Sequence, residues 1–414
     1  MLDQTYSVEN LLRLMKKSDP GKYRMGRERS DYKAFLSNLS SQISSPNFSL
    51  GGLRKVIIKN RDVFITSRAV DDFAIRKTND NLRRIYKVKQ SDRNKVVSQL
   101  LILSQEPVPY TLVKLDLRSF YESINKEDLV EKILSDTLPS NDTKKIIKSI
   151  FYNSSVNSAK GIPRGLSISA TLSELFMRSF DKKVKQIPGV YYYARYVDDL
   201  VIMTTKSALE TIQAAANCLP EKMIFNDDKT CWIEIDSKNA VKKNNCPNNT
   251  VTYLGYQIKI DLSSKSKRKI DLGISQKKIN RTKQRIVLTI KDYNINNNFE
   301  LLYNRIQFLT CNYSIEERRN ASFSSDLKAG IFYSYPLLDG YDFVKSQLKK
   351  LDEFLNKQIW NRKGSIGSKL SGFIKNNQRR IISNLSFLAG FEHRKTKKFL
   401  PKQIKQMRKC WKYV

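Results

Sequence analysis

Apolar residues fall along this chain in short runs of two periodicities, and the switch between them outlines the elements. Residues 8–17 place Leu11, Leu12, Leu14 and Met15 among Glu9, Arg13, Lys16 and Lys17. That spacing predicts a short amphipathic helix, stopped by Asp19-Pro20-Gly21. A Ser/Asn-rich stretch at 37–52, ending in Gly51-Gly52, reads as a loop. Residues 92–104 predict a helix entered through Asp92, and Pro107 and Pro109 then break the chain. Residues 110–116 form an apolar run that ends on a carboxylate, Asp116, and predict a strand. Leu172, Leu175, Phe176 and Phe180 recur at helical spacing within 166–180. Residues 189–197 and 200–203 are two strand-like runs flanking Asp198-Asp199, which predicts a β-hairpin with two acids at its tip. Residues 207–218 fit another helix, the polar insert 236–250 a loop, and 251–258 a strand. Beyond about 262 the pattern changes: 263–269 is a basic linker, and the remainder is mostly of helical period and rich in Lys and Arg. A domain boundary is placed there; no internal repeat is evident.

Composition adds a partner class. The chain has 414 residues, enough for roughly two or three packed units. Hydrophobic residues at 40% and aromatics at 10% allow a sizeable core. Lys and Arg number 75 against 40 acids, a net charge of +35. Any single basic run also fits a solvated face. The total excess is most simply explained by a polyanion, whose binding weakens steeply with salt. Five scattered cysteines (Cys218, Cys231, Cys246, Cys311, Cys410) and one histidine, His393, cannot supply a clustered structural zinc site. The thiols are expected to be reduced, and His393 to be structural or on the surface. No signal-like amino terminus or membrane-length apolar run is present, so a soluble, cytoplasmic protein with no membrane partner is expected.

The candidate chemistry lies in the acids. A buried strand seldom ends on an unpaired carboxylate, because a desolvated charge is costly. Gathering Asp116, Asp198 and Asp199 is worse unless a cation sits between them. Hard divalent ions with carboxylate and phosphate ligands do this, and two of them stabilise both the attacking and the leaving oxygen of an in-line displacement. Taken singly, each acid also fits a turn or a surface ion pair.

In this order the motifs resemble the reverse-transcriptase family. Leu115-Asp116-Leu117-Arg118-Ser119-Phe120-Tyr121-Glu122-Ser123-Ile124 is similar to the first palm motif, and Gly161-Ile162-Pro163-Arg164-Gly165-Leu166-Ser167 to the Gly-Leu-Pro-Gln-Gly motif. Tyr196-Val197-Asp198-Asp199 matches the catalytic box, Phe225-Asn226-Asp227-Asp228-Lys229-Thr230 the fourth motif, and Tyr253-Leu254-Gly255-Tyr256 the primer grip. Ile75-Arg76-Lys77 with Arg83-Arg84-Ile85 looks like a fingers motif. The resemblance implies an α+β right-hand polymerase: an N-terminal helical extension (1–60), fingers and palm (61–261), and a helical, basic thumb and C-terminal region (262–414). It implies an RNA-directed DNA polymerase with two Mg²⁺ ions, Mn²⁺ being an alternative, held by Asp116, Asp198, Asp199 and the Leu117 carbonyl. Lys229 would protonate the departing pyrophosphate. Lys77, Arg83, Arg118, Ser119, Phe120, Tyr121 and Arg164 would surround the nucleotide, with Tyr121 as the sugar gate. Leu254, Gly255 and Tyr256 would form the primer grip.

Arg164 stands where many relatives carry Gln, which places a fixed positive charge beside the nucleotide. A single histidine leaves no endonuclease segment of the group II intron kind to be expected. Ile75-Arg76-Lys77-Thr78, Ser119-Phe120-Tyr121-Glu122-Ser123-Ile124 and residues 168–175 look most like bacterial abortive-infection and defence-associated reverse transcriptases. Residues 302–313 and 330–335 are similar to their helical C-terminal regions. That resemblance implies antiphage immunity, dNTP substrates, cDNA made on a small non-coding RNA, and a second polymerase subunit or a homo-oligomer. Three rival readings stand beside it: an RNA-dependent RNA polymerase, a template-independent or protein-primed polymerase, and a non-catalytic RNA-binding scaffold.

Overall fold

The computed structural model describes residues 2–58, 60–157, 160–236, 241–261, 268–315 and 327–412. It is of the α+β class expected, with helices set among mostly antiparallel sheets. The chain forms two compact units, one of Met1–Asp92 with Tyr110–Glu234 and one of Arg93–Pro109 with Ile235–Val414.

In the first unit a hairpin of β1 (Leu53–Ile58) and β2 (Arg61–Thr66) precedes the sheet that carries the acids. That sheet uses β3 (Tyr110–Asp116), β4 (Val190–Tyr196), β5 (Asp199–Thr204) and β6 (Cys231–Ile235), in the order β4-β5-β3-β6. Strand β3 is buried along its whole length, which is why its sequence reads as an apolar run rather than an alternation. The helix Ser169–Lys185 packs on β4, and the helix Ala208–Asn217 on β3. Ser207 opens the latter by accepting a hydrogen bond from the Glu210 backbone N–H at 3.3 Å.

The helix Ala69–Ile85 is buried even on polar positions, because the amino-terminal segment wraps it. Thr78 Oγ1 meets Tyr6 Oη at 2.7 Å, Asn81 donates to the Gln4 carbonyl at 2.9 Å, and Arg76 pairs with Asp19 at 2.5 Å. These buried polar groups are thus tied to the amino-terminal segment.

In the second unit the helix Arg93–Ser104 joins strands β7 (Val241–Asn244), β8 (Thr250–Tyr253), β9 (Tyr256–Asp261) and β10 (Lys269–Ile274). Strands β8, β9 and β10 form an antiparallel sheet in the order β10-β9-β8. The long helices Gln276–Asn296 and Asp342–Trp360 follow, with a small sheet of β11 (Asn312–Ile315), β12 (Leu327–Gly330) and β13 (Thr396–Phe399).

Five expectations are corrected. The helix Val8–Arg13 ends earlier than 17, and a short helix, Asp19–Tyr23, takes up the Pro-Gly stop with Pro20 in its first turn. Residues 37–44 are helical, as part of Arg29–Ser44, because Leu36, Leu39 and Ile43 form a buried stripe that outweighs the Ser/Asn preference for loops. The 236–250 insert contains β7, and the 251–258 run is a hairpin turning at Leu254-Gly255. The basic region beyond 262 is mostly helical, as expected, with the short strands β10 to β13 among its helices. Cys231 and Cys246 are disulfide-bonded, while Cys218, Cys311 and Cys410 are free; spacing along the chain gives no sign of that proximity. Residues 237–240 of the insert and 263–267 of the basic linker lie outside the described residues. Among the described residues no helix is long and apolar enough to cross a membrane.

The buried stripe makes a stability prediction. Leu39→Ala should lower unfolding free energy by about 2–4 kcal/mol, whereas the exposed Ser37→Ala should change it by at most about 0.5 kcal/mol. Urea denaturation followed by circular dichroism checks both.

Candidate active site

Strand β3 delivers Asp116 at its carboxyl end, with only 4% of the residue exposed. Directly opposite, in antiparallel register, stands Asp199 at the start of β5. Asp198 occupies the turn of the β4–β5 hairpin, where its carbonyl accepts the Leu117 backbone N–H at 3.0 Å. The hairpin predicted from sequence therefore sets its two acids against the acid of the central strand.

This turn is strained. Val197 has φ +61°, a left-handed conformation that β-branched residues rarely adopt. Arg195 holds it: Nη1 donates to the Val197 carbonyl at 3.0 Å, while the guanidinium binds Glu174 at 2.7 Å and Asp181 at 2.7 Å. Both carboxylates belong to the helix Ser169–Lys185, so a buried cation rivets the catalytic hairpin to that helix.

The fourth motif is docked by backbone. Arg118 N–H donates to the Ile224 carbonyl at 3.0 Å, and Asn226 N–H to the Asp116 carbonyl at 2.8 Å. The short 3₁₀ turn Asp227–Lys229 then places Lys229 Nζ 2.8 Å from Asp116 Oδ1. Lys114, which is 7% exposed, lies two positions before Asp116 on β3. Its Nζ is 3.4 Å from Asp199 Oδ1 and donates to the Lys229 carbonyl at 3.2 Å.

Burial pushes the Asp198 carboxyl above its ordinary range, and repulsion from Asp116 adds to this against the pull of Lys229 and Arg164. Burial likewise raises Asp199, with Lys114 opposing and Asp198 and Asp116 adding. Among the described residues no three acids, cysteines or histidines are already drawn into a metal cage. The donor set nevertheless fits a hard divalent cation: it is all oxygen, two of its carboxyls are held up by burial, and Asn226 Oδ1 beside it is buried with no hydrogen-bond partner among the described residues. Lys229, with 56% of its side chain exposed, has room to leave Asp116.

The other expected residues divide. Phe120 is buried and meets the Tyr121 ring edge-on, with centroids 5.3 Å apart. Arg118 and Ser119 are exposed beside the acids, Ser119 in the left-handed region at φ +48°. Arg83 is exposed near the end of its helix. Two expectations are corrected. Lys77 is fully buried and its Nζ donates to the Asp3 carbonyl at 2.9 Å, so it is not presented to a triphosphate. Arg164 does not stand as a free charge, because its guanidinium forms a two-bond pair with Glu122 at 2.7 and 2.8 Å. Leu254, Gly255 and Tyr256 belong to the second unit. There Arg93 donates to the Leu254 carbonyl at 2.9 Å and lies 4.7 Å over the Tyr256 ring.

Sequence reasoning missed Lys114, Arg195, Glu174, Asp181 and Asn226. A signal existed for the first two: each is a cation inside an otherwise apolar strand, and a buried cation needs a carboxylate.

A central strand and a hairpin that converge on three acids, over a sheet backed by helices, define a palm-type nucleic-acid polymerase domain. A family model described as reverse transcriptase (RNA-dependent DNA polymerase) matches residues 15–258. The chain belongs to that family. No curated protein matches it. Among solved structures it is similar to apo telomerase from Candida tropicalis truncated from its C-terminal domain, at 15% identity over 55% of this chain and 59% of that one, with a TM-score of 0.36. It is also similar to telomerase from Candida albicans in complex with the TWJ fragment of telomeric RNA, at 11% identity over 92% of this chain and 65% of that one, with a TM-score of 0.37. The chain thus spans less than two thirds of either structure.

Removing the buried Arg195 strands two partly buried carboxylates. Arg195→Ala should cost about 3–5 kcal/mol, read as a fall in thermal midpoint, and Arg195→Lys should recover only part of it because the fork is lost.

Proposed function

We propose that this protein copies RNA into DNA by two-metal nucleotidyl transfer, with Asp116, Asp198 and Asp199 as the metal-holding acids. The observation that carries the reading is the direct apposition of Asp116 and Asp199 across β3 and β5, with Asp198 in the adjoining turn. The Leu117 carbonyl is a further ligand in this reading, and Mg²⁺ the ion, with Mn²⁺ as a substitute. When bound, the ions would lower the pKa of the primer 3′-hydroxyl and neutralise charge on the phosphates.

The chain's own residues do the rest. Lys229, now on Asp116, is the cation that moves when the acids take up metal, and its ammonium then serves as a proton donor to pyrophosphate. Lys114 stays buried against Asp199 and offsets part of the negative charge of the acids. Tyr121, in the short helix Phe120–Ser123 that follows β3, is the sugar gate of this reading: its ring would collide with a ribose 2′-hydroxyl, which favours dNTPs. Arg83 and Arg118 are exposed cations able to meet phosphates. Leu254, Gly255 and Tyr256 are the primer grip of this reading.

The net charge of +35 supports an RNA template and a DNA product held through their phosphates. Resemblance of the fingers and palm motifs to defence-associated bacterial enzymes supports a cytoplasmic antiphage role with a small non-coding RNA as template. A second polymerase subunit or a homo-oligomer belongs to the same reading. Sequencing the nucleic acid that copurifies with the protein, together with its product, tests the template, and phage challenge of cells expressing it tests the role.

The acids are tested by Asp198→Ala with Asp199→Ala. This pair should abolish dNTP incorporation on a primed RNA template while leaving the salt-dependent RNA affinity in place; undiminished synthesis would refute the assignment. Lys229→Ala should slow the chemical step by about 10²–10⁴-fold in single-turnover kinetics, with little change in nucleotide affinity.

A further inference from the structure

Tyr121 is held on several sides by groups outside the reacting centre. Phe120 meets its ring edge-on, with centroids 5.3 Å apart. The Arg164 guanidinium carbon lies 4.7 Å from the centre of its ring. Arg164 is itself immobilised: Nε and Nη2 bond the two oxygens of Glu122 at 2.7 and 2.8 Å, a fork-to-fork pair that leaves little rotational freedom. The guanidinium is thus pinned by the neighbour of the residue it covers.

The backbone around this pair is equally constrained. Ile162 N–H donates to the Tyr121 carbonyl at 2.9 Å. Gly161 has φ +65°, and a Cβ there would lie 2.1 Å from the same carbonyl oxygen, so only glycine allows this approach. On the other side the Arg164 carbonyl accepts the Phe64 N–H of β2 at 2.7 Å. A Cβ on Gly165, at φ +95°, would lie 2.5 Å from the Phe64 carbonyl. The loop 161–165 is therefore strapped both to the turn that bears Tyr121 and to the β1–β2 hairpin.

A half-exposed ion pair of this kind adds little to global stability. A phosphate-binding arginine would also have to leave Glu122 first. We propose that the Arg164–Glu122 pair is a positioning latch for Tyr121, holding the ring in the pose that rejects a ribose 2′-hydroxyl, so that Arg164 and Glu122 set sugar selectivity rather than bind phosphate. The proposal rests on the reading of Tyr121 as the sugar gate. The latch works through the cation stacked on the ring and the carboxylate that fixes it, and it involves no group that touches the reacting atoms.

The test is the ratio of kcat/KM for a dNTP to that for the matching rNTP on one primed template. Glu122→Ala frees the guanidinium and should lower this ratio about tenfold, mainly by improving rNTP use. Arg164→Lys keeps the charge but loses the fork, and should give a smaller drop. Tyr121→Val should lower the ratio further, and adding Glu122→Ala to it should change nothing more, because the latch then has no ring to hold. Thermal melting of each variant confirms that it is folded. An unchanged ratio in Glu122→Ala and Arg164→Lys, with Tyr121→Val relaxed, overturns the latch and leaves the gate standing. An unchanged ratio in Tyr121→Val overturns gate and latch together. A Glu122→Ala enzyme with a lower dNTP KM and unaltered sugar preference shows Arg164 to be a phosphate binder held in reserve, and also overturns the proposal. Equal losses from Glu122→Ala in the presence and absence of Tyr121 do the same.

Discussion

Carboxylates brought together out of water repel one another, and the first unit is organised around tolerating that repulsion. Asp116 and Asp199 face each other across two hydrogen-bonded strands, with Asp198 in the next turn. Burial and repulsion both disfavour the charged forms of Asp198 and Asp199. Two lysines answer this, one from within β3 and one from the turn that follows the fourth motif. Their accessibility differs, since Lys114 is enclosed and Lys229 open. One cation is therefore a permanent part of the site and the other can be exchanged.

The same constraint explains the buried arginine behind the site. A tight hairpin that ends in adjacent acids forces Val197 into a conformation that resists its branched side chain. The strain persists because Arg195 binds the Val197 carbonyl and is itself fixed by two acids on a helix. A buried ion pair is a weak source of net stability, yet it is costly to break from one side. That makes it suited to fixing the hairpin in one geometry.

Around the acids the same device recurs with a different purpose. Arg76 is enclosed by Asp19 and Asp72, Lys77 by the Asp3 carbonyl, and Arg164 by Glu122. In a chain with so large an excess of positive charge, these cations are already engaged by groups of the protein itself. Basic character alone therefore does not identify a phosphate ligand; which cations remain exposed decides that.

The sequence by itself determined the acids and the strands that carry them. An apolar run ending on Asp116 and two apolar runs flanking Asp198-Asp199 admit few arrangements, because each strand is buried on both faces or joined by a tight turn. Local periodicity also indicated a helix over 207–218, and the resemblance of the motifs to a known family implied the α+β class. The sequence did not reveal the helix through the Ser/Asn-rich 37–44, since only packing of Leu36, Leu39 and Ile43 against the core overrides the loop preference of the residues between them. Nor did it reveal the fate of the cations. Whether Lys77, Arg164, Lys114 or Arg195 binds a ligand or a carboxylate depends on partners distant in the chain, and a charge finds those partners only when the fold brings them within a few ångströms.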